Sequence, residues 1–263
     1  MSLSDALNFV PVFVLVFFRT AGLMLAAPLF GSAKVPKRLK VMFALVLAAG
    51  LVNRIKIAPH LPGTTLELAA GIGGELVFGL VMGLGLSLAF IAVTWAGEIM
   101  GQQMGMNMAA TFDPQFSSSS LVGDLYFMLT LIVFLLVRGH HAIIQGLAAS
   151  FDSLPLLTAG MTGGLFDVFL GLLMSATVLA IKVASPMLVT MLVVDVALGF
   201  IGKSVPQINV MNAGLTLRSG LGILVLIVGM MLTSDIMRGA IFDSVETVTA
   251  AWRTNGAMTA KVM

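Results

Sequence analysis

Few side chains in this sequence could do acid, base or metal chemistry, and they lie far apart. The histidines are His60, His140 and His141, and Asp195 is the one acid deep inside an apolar segment. Adjacent residues on a helix point about 100° apart, so His140 and His141 are not expected to chelate one metal together. Intramembrane aspartate chemistry would need a second acid facing Asp195. The chain has no Cys, which excludes disulfides, thiolate metal sites and cysteine nucleophiles.

Motifs of known catalytic classes are also missing from the sequence. It contains no H-E-x-x-H, no G-x-S-x-G and no glycine loop ending in Lys-Ser or Lys-Thr, which are the patterns of zinc peptidases, serine hydrolases and phosphate-binding loops. We therefore predict that the protein is not an enzyme and holds no cofactor and no metal.

Composition places the chain in a membrane. Of its 263 residues, 59% are hydrophobic and 10% are charged, whereas soluble domains average about 45–50% and about 25%. The formal net charge of +2 gives no basic field of the kind that nucleic-acid binders use. The N-terminus lacks the basic region and cleavage site of a secretory signal, so we expect the first apolar segment to be retained.

The apolar segments are short or interrupted by charges. Arg19 divides the first, Lys182 separates the fifth from the sixth, and Asp195 lies inside the sixth. Each charge at a bilayer centre costs roughly 2.5 to 3.5 kcal/mol, so we expect these side chains to face protein partners or a wet cavity and not lipid. Two arrangements remain open, a polytopic protein with a short or re-entrant segment and a set of hairpins packed inside an assembly. The predicted segments are Phe9–Phe30, Val41–Val52, Leu68–Ala96, Val122–Val137, Val168–Ile181, Val183–Ile201 and Ser219–Thr233.

Lys182 and Asp195 could meet only if the chain reversed between them. On a straight helix they would stand roughly 20 Å apart at 1.5 Å per residue. Pro186, with Ser185 and Thr190 beside it, could break the helix there. The sequence thus makes a hairpin plausible at this point, and we expect Arg19, Lys182 and Asp195 to pair within a larger complex.

Glycine and methionine are regularly spaced between Gly97 and Ser120. Gly97, Gly101 and Gly105 recur every four residues, and Met100, Met104 and Met108 do the same beside them. On a helix the glycines would form a stripe for close helix packing, and the methionines would form a soft, adaptable surface. Pro114 disfavours helix at Asp113, so the helix is expected to open into a segment containing Met and Phe. The alternative is a buried helix in which Met fills gaps.

Two further features allow more than one interpretation. Gly79 and Gly83 have the spacing of a close helix contact, which is common in membrane helices generally. Glu75 could be a buried acid or a carboxylate at the membrane interface.

Four stretches, taken in order, resemble one family. They are FFRTAGLMLAAPLFGSAKVPKRLK from Phe17, GEIMGQQMGMNMAATFDPQ from Gly97, RGHHAIIQGLAASFDSLP from Arg138, and SPMLVTMLVVDVALGFIGKSVPQINVMNAG from Ser185. The chain resembles the FliR component of the flagellar type III export gate, which is related to the SctT components of virulence secretion systems. The resemblance extends from about Phe17 to Gly214.

This resemblance implies an all-α membrane-complex protein of broken, kinked helical hairpins that assemble with homologous subunits instead of forming a simple spanning bundle. It implies a ring with FliP and FliQ, FlhB around the gate and FlhA nearby, in the bacterial inner membrane at the flagellar basal body. Unfolded export substrates would pass in transit, and lipid or detergent would cover the periphery. We expect one domain over 1–263, with a pore plug at about 106–120 and a more polar end at about 235–263.

The resemblance also assigns residues to two groups. Related members have phenylalanines early in the plug, where this chain has Met108 and Thr111. The expected plug and gasket residues are Met104, Met106, Met108, Phe112, Asp113, Pro114 and Phe116. The expected residues of subunit packing and buried charge are Arg19, Gly97, Glu98, Gly101, Gln102, Gly105, Lys182, Asp195, Pro206 and Gln207.

The predicted function is a passive gate, because a soft apolar constriction can stop ions while idle and repack around a passing chain. The alternative is an ion-coupled polytopic transporter, which would also carry charges at mid-membrane and broken helices. Such transporters normally contain an inverted repeat, and none is visible in this sequence.

Overall fold

The part of the chain that the structure describes is helical. The computed structural model describes residues 3–28, 35–52, 64–106, 120–157, 164–205 and 213–231, with the single residues 236 and 239. No strand occurs in these ranges, so the all-α fold is confirmed for them. The helices are α1 (Leu3–Ala26), α2 (Lys37–Val52), α3 (Thr65–Gln103), α4 (Leu121–Leu136), α5 (Gly139–Ser153), α6 (Gly164–Ser204) and α7 (Ala213–Met231).

Several helices are long and apolar enough to cross a membrane. Four pass this test, within Phe9–Ala26, Thr65–Gln103, Phe169–Ser204 and Ala213–Met231. Helices α4 and α5 form a kinked pair that would be a fifth span if the two count as one. Arg138, between them, has a φ of 58°, in the left-handed region that ends a helix. The protein is therefore a membrane protein with at least one broken helix pair.

The chain divides into two compact units, and each is discontinuous in sequence. The first unit comprises Met1–Leu88, Arg138–Leu173 and Ile241–Met263, and the second comprises Ala89–Val137 and Met174–Ala240. The long helices α3 and α6 each contribute residues to both units. The expectation of one domain stays a prediction.

In the first unit, glycines on α3 allow the backbones of α1 and α3 to come into contact. A Cβ on Gly79 would clash with the Arg19 carbonyl oxygen and lie 2.9 Å from the Leu23 nitrogen. A Cβ on Gly83 would lie 2.8 Å from the Leu23 carbonyl oxygen. The Gly79–Gly83 spacing is thus a real contact between helix backbones, as the sequence suggested. Ser87 donates a hydrogen bond to the Ala26 carbonyl at the end of the same contact.

In the second unit, the last third of α3 packs on α4. The Phe90 ring meets the rings of Phe127 and Phe134 edge to face, at centroid distances of 5.9 and 5.6 Å. Further along, a Cβ on Gly97 would lie 2.7 Å from the Gly123 Cα. The aromatic cluster and the glycine contact together hold the two helices at close distance.

Helix α6 continues through Pro186, so the predicted hairpin is wrong. The helix extends from Gly164 to Ser204, and the fifth and sixth apolar segments are parts of it. Proline removes the hydrogen bond to the carbonyl four residues earlier, which here belongs to Lys182. The Ser185 hydroxyl donates to that carbonyl at 2.8 Å, and Thr190 donates to the Pro186 carbonyl at 2.8 Å. The polar side chains expected to break the helix therefore satisfy its backbone.

Candidate functional site

The first unit is centred on a buried ion pair between α1 and α3. Arg19 Nε lies 2.5 Å from Glu75 Oε2, and both side chains are 0% exposed. The other guanidinium nitrogens donate to the Ser150 and Leu154 carbonyl oxygens and to Ser150 Oγ, at 3.2 to 3.3 Å. Arg19 thus ties α1 to α3 and to the end of α5.

Aromatic rings and a backbone amide complete this centre. The Arg19 guanidinium carbon lies 4.5 Å from the centroid of Phe78 and 4.3 Å from that of Phe151, where cation–π attraction adds to the ion pair. Leu157, at a φ of 70°, donates its N–H to Glu75 Oε1 at 3.2 Å. A desolvated ion pair requires such additional hydrogen bonds to offset the loss of water.

Glu75 is therefore a buried acid with a cationic partner. Its partner Arg19 was expected to be buried, and the structure confirms that burial within the chain itself. The sequence analysis grouped Arg19 with Lys182 and Asp195 and did not identify Glu75 as its partner. On α3, Gly71, Glu75 and Phe78 fall on one face at intervals of four and three residues, and this face meets Leu157 and Arg19.

Asp195 pairs with Arg218, a residue that the sequence analysis did not single out. Arg218 on α7 lies 2.6 Å from the Asp195 carboxylate on α6, and the two side chains are 40% and 42% exposed. Because α6 does not reverse at Pro186, a direct Lys182–Asp195 bridge within the chain is wrong, and the pairing of Arg19, Lys182 and Asp195 within a complex stays a prediction. Lys182 is exposed on α6.

The glycines at the end of α3 allow close contact with the start of α4. A Cβ on Gly97 would lie 2.8 Å from the Val122 carbonyl oxygen, and one on Gly101 would lie 3.3 Å from Ser120 Oγ. Ser120 is the N-cap of α4, and its hydroxyl accepts from the Gly123 N–H at 3.2 Å. Gly97 and Gly101 thus have the close-packing role expected of them.

Gly105 does not continue this stripe, because α3 ends at Gln103. Gly105 has a φ of 76° and its N–H donates to the Gln102 carbonyl at 3.0 Å, while the Met106 N–H donates to the Gly101 carbonyl at 3.1 Å. These two bonds and the left-handed glycine form a Schellman C-cap. Gly105 is conformationally required here as the residue that ends the helix.

Met104 is fully buried within the chain. The Ser219 hydroxyl on α7 donates to the Met104 carbonyl at 3.0 Å, and the Met104 side chain packs against Gly222. Met106 is half-buried, as are Glu98 and Gln103, and Gln102 is exposed. The gasket role of Met104 and Met106 stays a prediction. The remaining expected residues Met108, Phe112, Asp113, Pro114, Phe116, Pro206 and Gln207 lie outside the described residues, as do most of 235–263.

The histidine pair offers little for metal binding. The His140 and His141 rings lie 4.4 Å apart between centroids at the start of α5. Within the described ranges, no three His, Asp or Glu side chains are grouped so that they could hold a metal ion.

Comparison with known proteins gives the family. The family described as "Bacterial export proteins, family 1" matches residues 10–244. Flagellar biosynthetic protein FliR of Bacillus subtilis (strain 168) is 30% identical over 250 residues, which cover 94% of this chain and 96% of the relative. FliR of Aquifex aeolicus (strain VF5) is 29% identical over 230 residues, or 88% and 89% of the two chains.

A relative with a different name is also similar. Surface presentation of antigens protein SpaR of Shigella sonnei is 25% identical over 235 residues, which cover 87% of this chain and 90% of the relative. The resemblance read from four sequence stretches is thereby confirmed over nearly the whole chain. The chain belongs to the FliR family of the bacterial export proteins, family 1.

Proposed function

We propose that this protein is a structural and gating subunit of the flagellar type III export gate. With FliP and FliQ it forms a pore for unfolded export substrates in the bacterial inner membrane at the basal body, with FlhB around the gate and FlhA nearby. The segment at about 106–120 is the plug that seals the idle pore. Family membership supports the export apparatus, and the end of α3 supports the plug.

The main support for the plug comes from Met106 and Ser120, the two residues that flank 107–119. Both lie against Gly101. Before the segment, Met106 donates its N–H to the Gly101 carbonyl. After it, Ser120 lies so close that a Cβ on Gly101 would be 3.3 Å from its hydroxyl. The backbones of α3 and α4 are in contact at Gly97. The two helix ends that flank the segment are therefore held together.

In this mechanism the seal opens by repacking of its side chains, and no covalent bond is made or broken. Methionine has three rotatable bonds and a polarizable sulfur, so it can pack against itself when the pore is idle and against a varied chain during export. Hydrophobic constrictions exclude ions by dewetting. Other subunits provide the energy for transport.

The ion-coupled transporter is less well supported. Coupling by proton or sodium ion usually relies on carboxylates inside the membrane that can bind the ion. Glu75 and Asp195, both within apolar helices, are each paired with an arginine.

The test replaces Met106 and Met108 by alanine and leaves Met104, because truncating this buried side chain would also open a cavity. We expect both the variant and the unchanged protein to co-purify in a large ring, and the variant to leak small solutes across the membrane when no substrate is present. Met128→Ala is the matched control, since Met128 is 63% exposed on α4. Normal permeability of the assembled double variant would contradict the seal. A stable monomer that binds a small ligand would contradict the gate and favour the transporter.

A further inference from the structure

The end of α3 is held by one face of α7, and this contact extends the proposed function. We infer that Ser219 and Gly222 are positioning residues of the gate, which fix Met104 and through it the backbone point at which the plug segment begins. The consequence for transport rests on the proposed plug. The positioning itself rests only on the contacts of Met104 and Gly105 with α7.

Three residues of α7 contact the end of α3 in succession. They are Leu215, Ser219 and Gly222, at intervals of four and three, so they lie along one face of the helix. Leu215 Cδ1 would be 2.5 Å from a Cβ built on Gly105. One turn later Ser219 meets the Met104 carbonyl, and Gly222 meets the Met104 side chain.

The Ser219 hydroxyl supplies a partner that the helix end requires. The last carbonyls of a helix have no partner within the helix, and inside a membrane protein an unsatisfied carbonyl is costly. Ser219 Oγ lies 3.0 Å from the Met104 carbonyl oxygen and 3.0 Å from the Leu215 carbonyl oxygen of its own helix. It therefore connects the backbones of the two helices at the residue where α3 ends.

Gly222 provides the space in which the Met104 side chain is buried. A Cβ on Gly222 would lie 3.0 Å from Met104 Cε and 3.1 Å from Sδ, with Cγ closer still. For Gly220, two residues earlier on the same helix, no atom of the described residues lies within 4 Å of such a Cβ. Alanine at 222 must therefore displace Met104, whereas alanine at 220 meets open space.

A displacement of Met104 is passed to Met106 over a very short path. The carbonyl held by Ser219 belongs to Met104, and the glycine with a φ of 76° separates that residue from Met106. The Met106 N–H is bonded to the Gly101 carbonyl, so Met104, Gly105 and Met106 belong to one hydrogen-bonded C-cap. Ser219 and Gly222 thus determine the position of Met106 at the end of α3.

The experiment follows Met106 directly in the assembled complex. Because this chain has no Cys, Met106→Cys gives the subunit a single thiol, whose rate of labelling by a membrane-impermeant maleimide is compared in a complex with cysteine-free partner subunits. We expect Gly222→Ala to change this rate severalfold and Gly220→Ala to leave it unchanged. Ser219→Ala should also change the rate, and Ser219→Thr, which keeps the hydroxyl, should restore it.

A second substitution tests the steric argument. Met104→Ala removes the atoms with which the new methyl group would collide, so Gly222→Ala should change the labelling rate much less when it is added to Met104→Ala than when it is added to the unchanged protein. The inference is overturned if Gly222→Ala and Gly220→Ala label alike, or if Met104→Ala does not suppress the effect of Gly222→Ala. Small-solute leakage is measured in parallel without the Cys. A shift in labelling without leakage would uphold the positioning and refute the seal, so the two failures are distinguishable.

Discussion

Arg19 shows how one cation can be kept inside an apolar helix. Its charge is compensated by Glu75 and its remaining donors reach carbonyl oxygens at the end of α5. Breaking a buried pair leaves a charge without compensation, which costs about 3 to 5 kcal/mol, whereas removing both charges is often close to neutral.

We expect Arg19→Met to lower the thermal stability of the detergent-solubilised complex strongly, and Arg19→Met with Glu75→Met to recover most of it. The recovery should be incomplete, because the Leu154 carbonyl also loses its guanidinium donors. Lys182→Met, at an exposed position on α6, is the control for loss of a cation. A double variant as unstable as Arg19→Met alone would show that the ion pair is not what this arginine requires.

The need to bury Arg19 could be predicted from the sequence, but its partner could not. An arginine in an apolar segment requires a partner whatever the fold. Glu75 lies 56 residues away along the chain, and nothing in the composition of α3 indicates which face of it meets α1. Arg218 was missed for the same reason, since its pairing with Asp195 depends on how α6 and α7 pack.

Apolar segments predicted most of the helices, and local chemistry decided their limits. The predicted segment Val122–Val137 corresponds closely to α4. Helix α5 was missed because GHHAIIQGLAASFDS is too polar to form an apolar segment. The continuity of α6 depends on the Ser185 hydroxyl, which takes the place of the missing Pro186 N–H at the Lys182 carbonyl, and the place of Gly105 in a C-cap depends on where α3 ends.

The contact between α1 and α3 makes a prediction about glycine as a packing residue. A Cβ on Gly79 would meet backbone atoms of Arg19 and Leu23, with the Leu23 nitrogen at 2.9 Å, and backbone cannot move aside as a flexible side chain can. Overpacking of this kind costs about 1 to 3 kcal/mol. We expect Gly79→Ala to reduce the melting temperature of the purified protein and its accumulation in membranes.

Gly73→Ala on the same helix is the matched control, because a Cβ there meets no atom of the described part of the chain within 4 Å. Alanine also has the higher helix propensity, so this variant should be as stable as the unchanged protein or slightly more so. Equal melting temperatures for the two variants would show that the close backbone contact does not contribute to stability.

The outer faces of α6 and α7 indicate how the molecule meets its surroundings. Large apolar side chains are exposed along both helices, among them Leu192, Val193 and Val196 on α6. The ion pair of Asp195 and Arg218 lies beside them with about two fifths of each side chain exposed. Lipid is a costly environment for charged groups, whereas neighbouring subunits can cover a pair that is already neutral. We therefore expect this pair to face protein in the assembled gate.

Asp195→Asn should act on assembly more than on the chain itself. An exposed ion pair contributes only about 0 to 1 kcal/mol, so the melting temperature of the isolated subunit in detergent should change little. In the complex the variant would leave Arg218 buried without a countercharge, which is far more costly, and the yield of the large ring should fall.

Exchange of the two residues, Asp195→Arg with Arg218→Asp, should restore part of that yield, because the pair stays neutral. Asp152→Asn, at an exposed position on α5, controls for the same change of net charge. If the exchange reduces the yield as much as Asp195→Asn does, the partner subunits must recognise the individual charges, and a neutral pair is not enough.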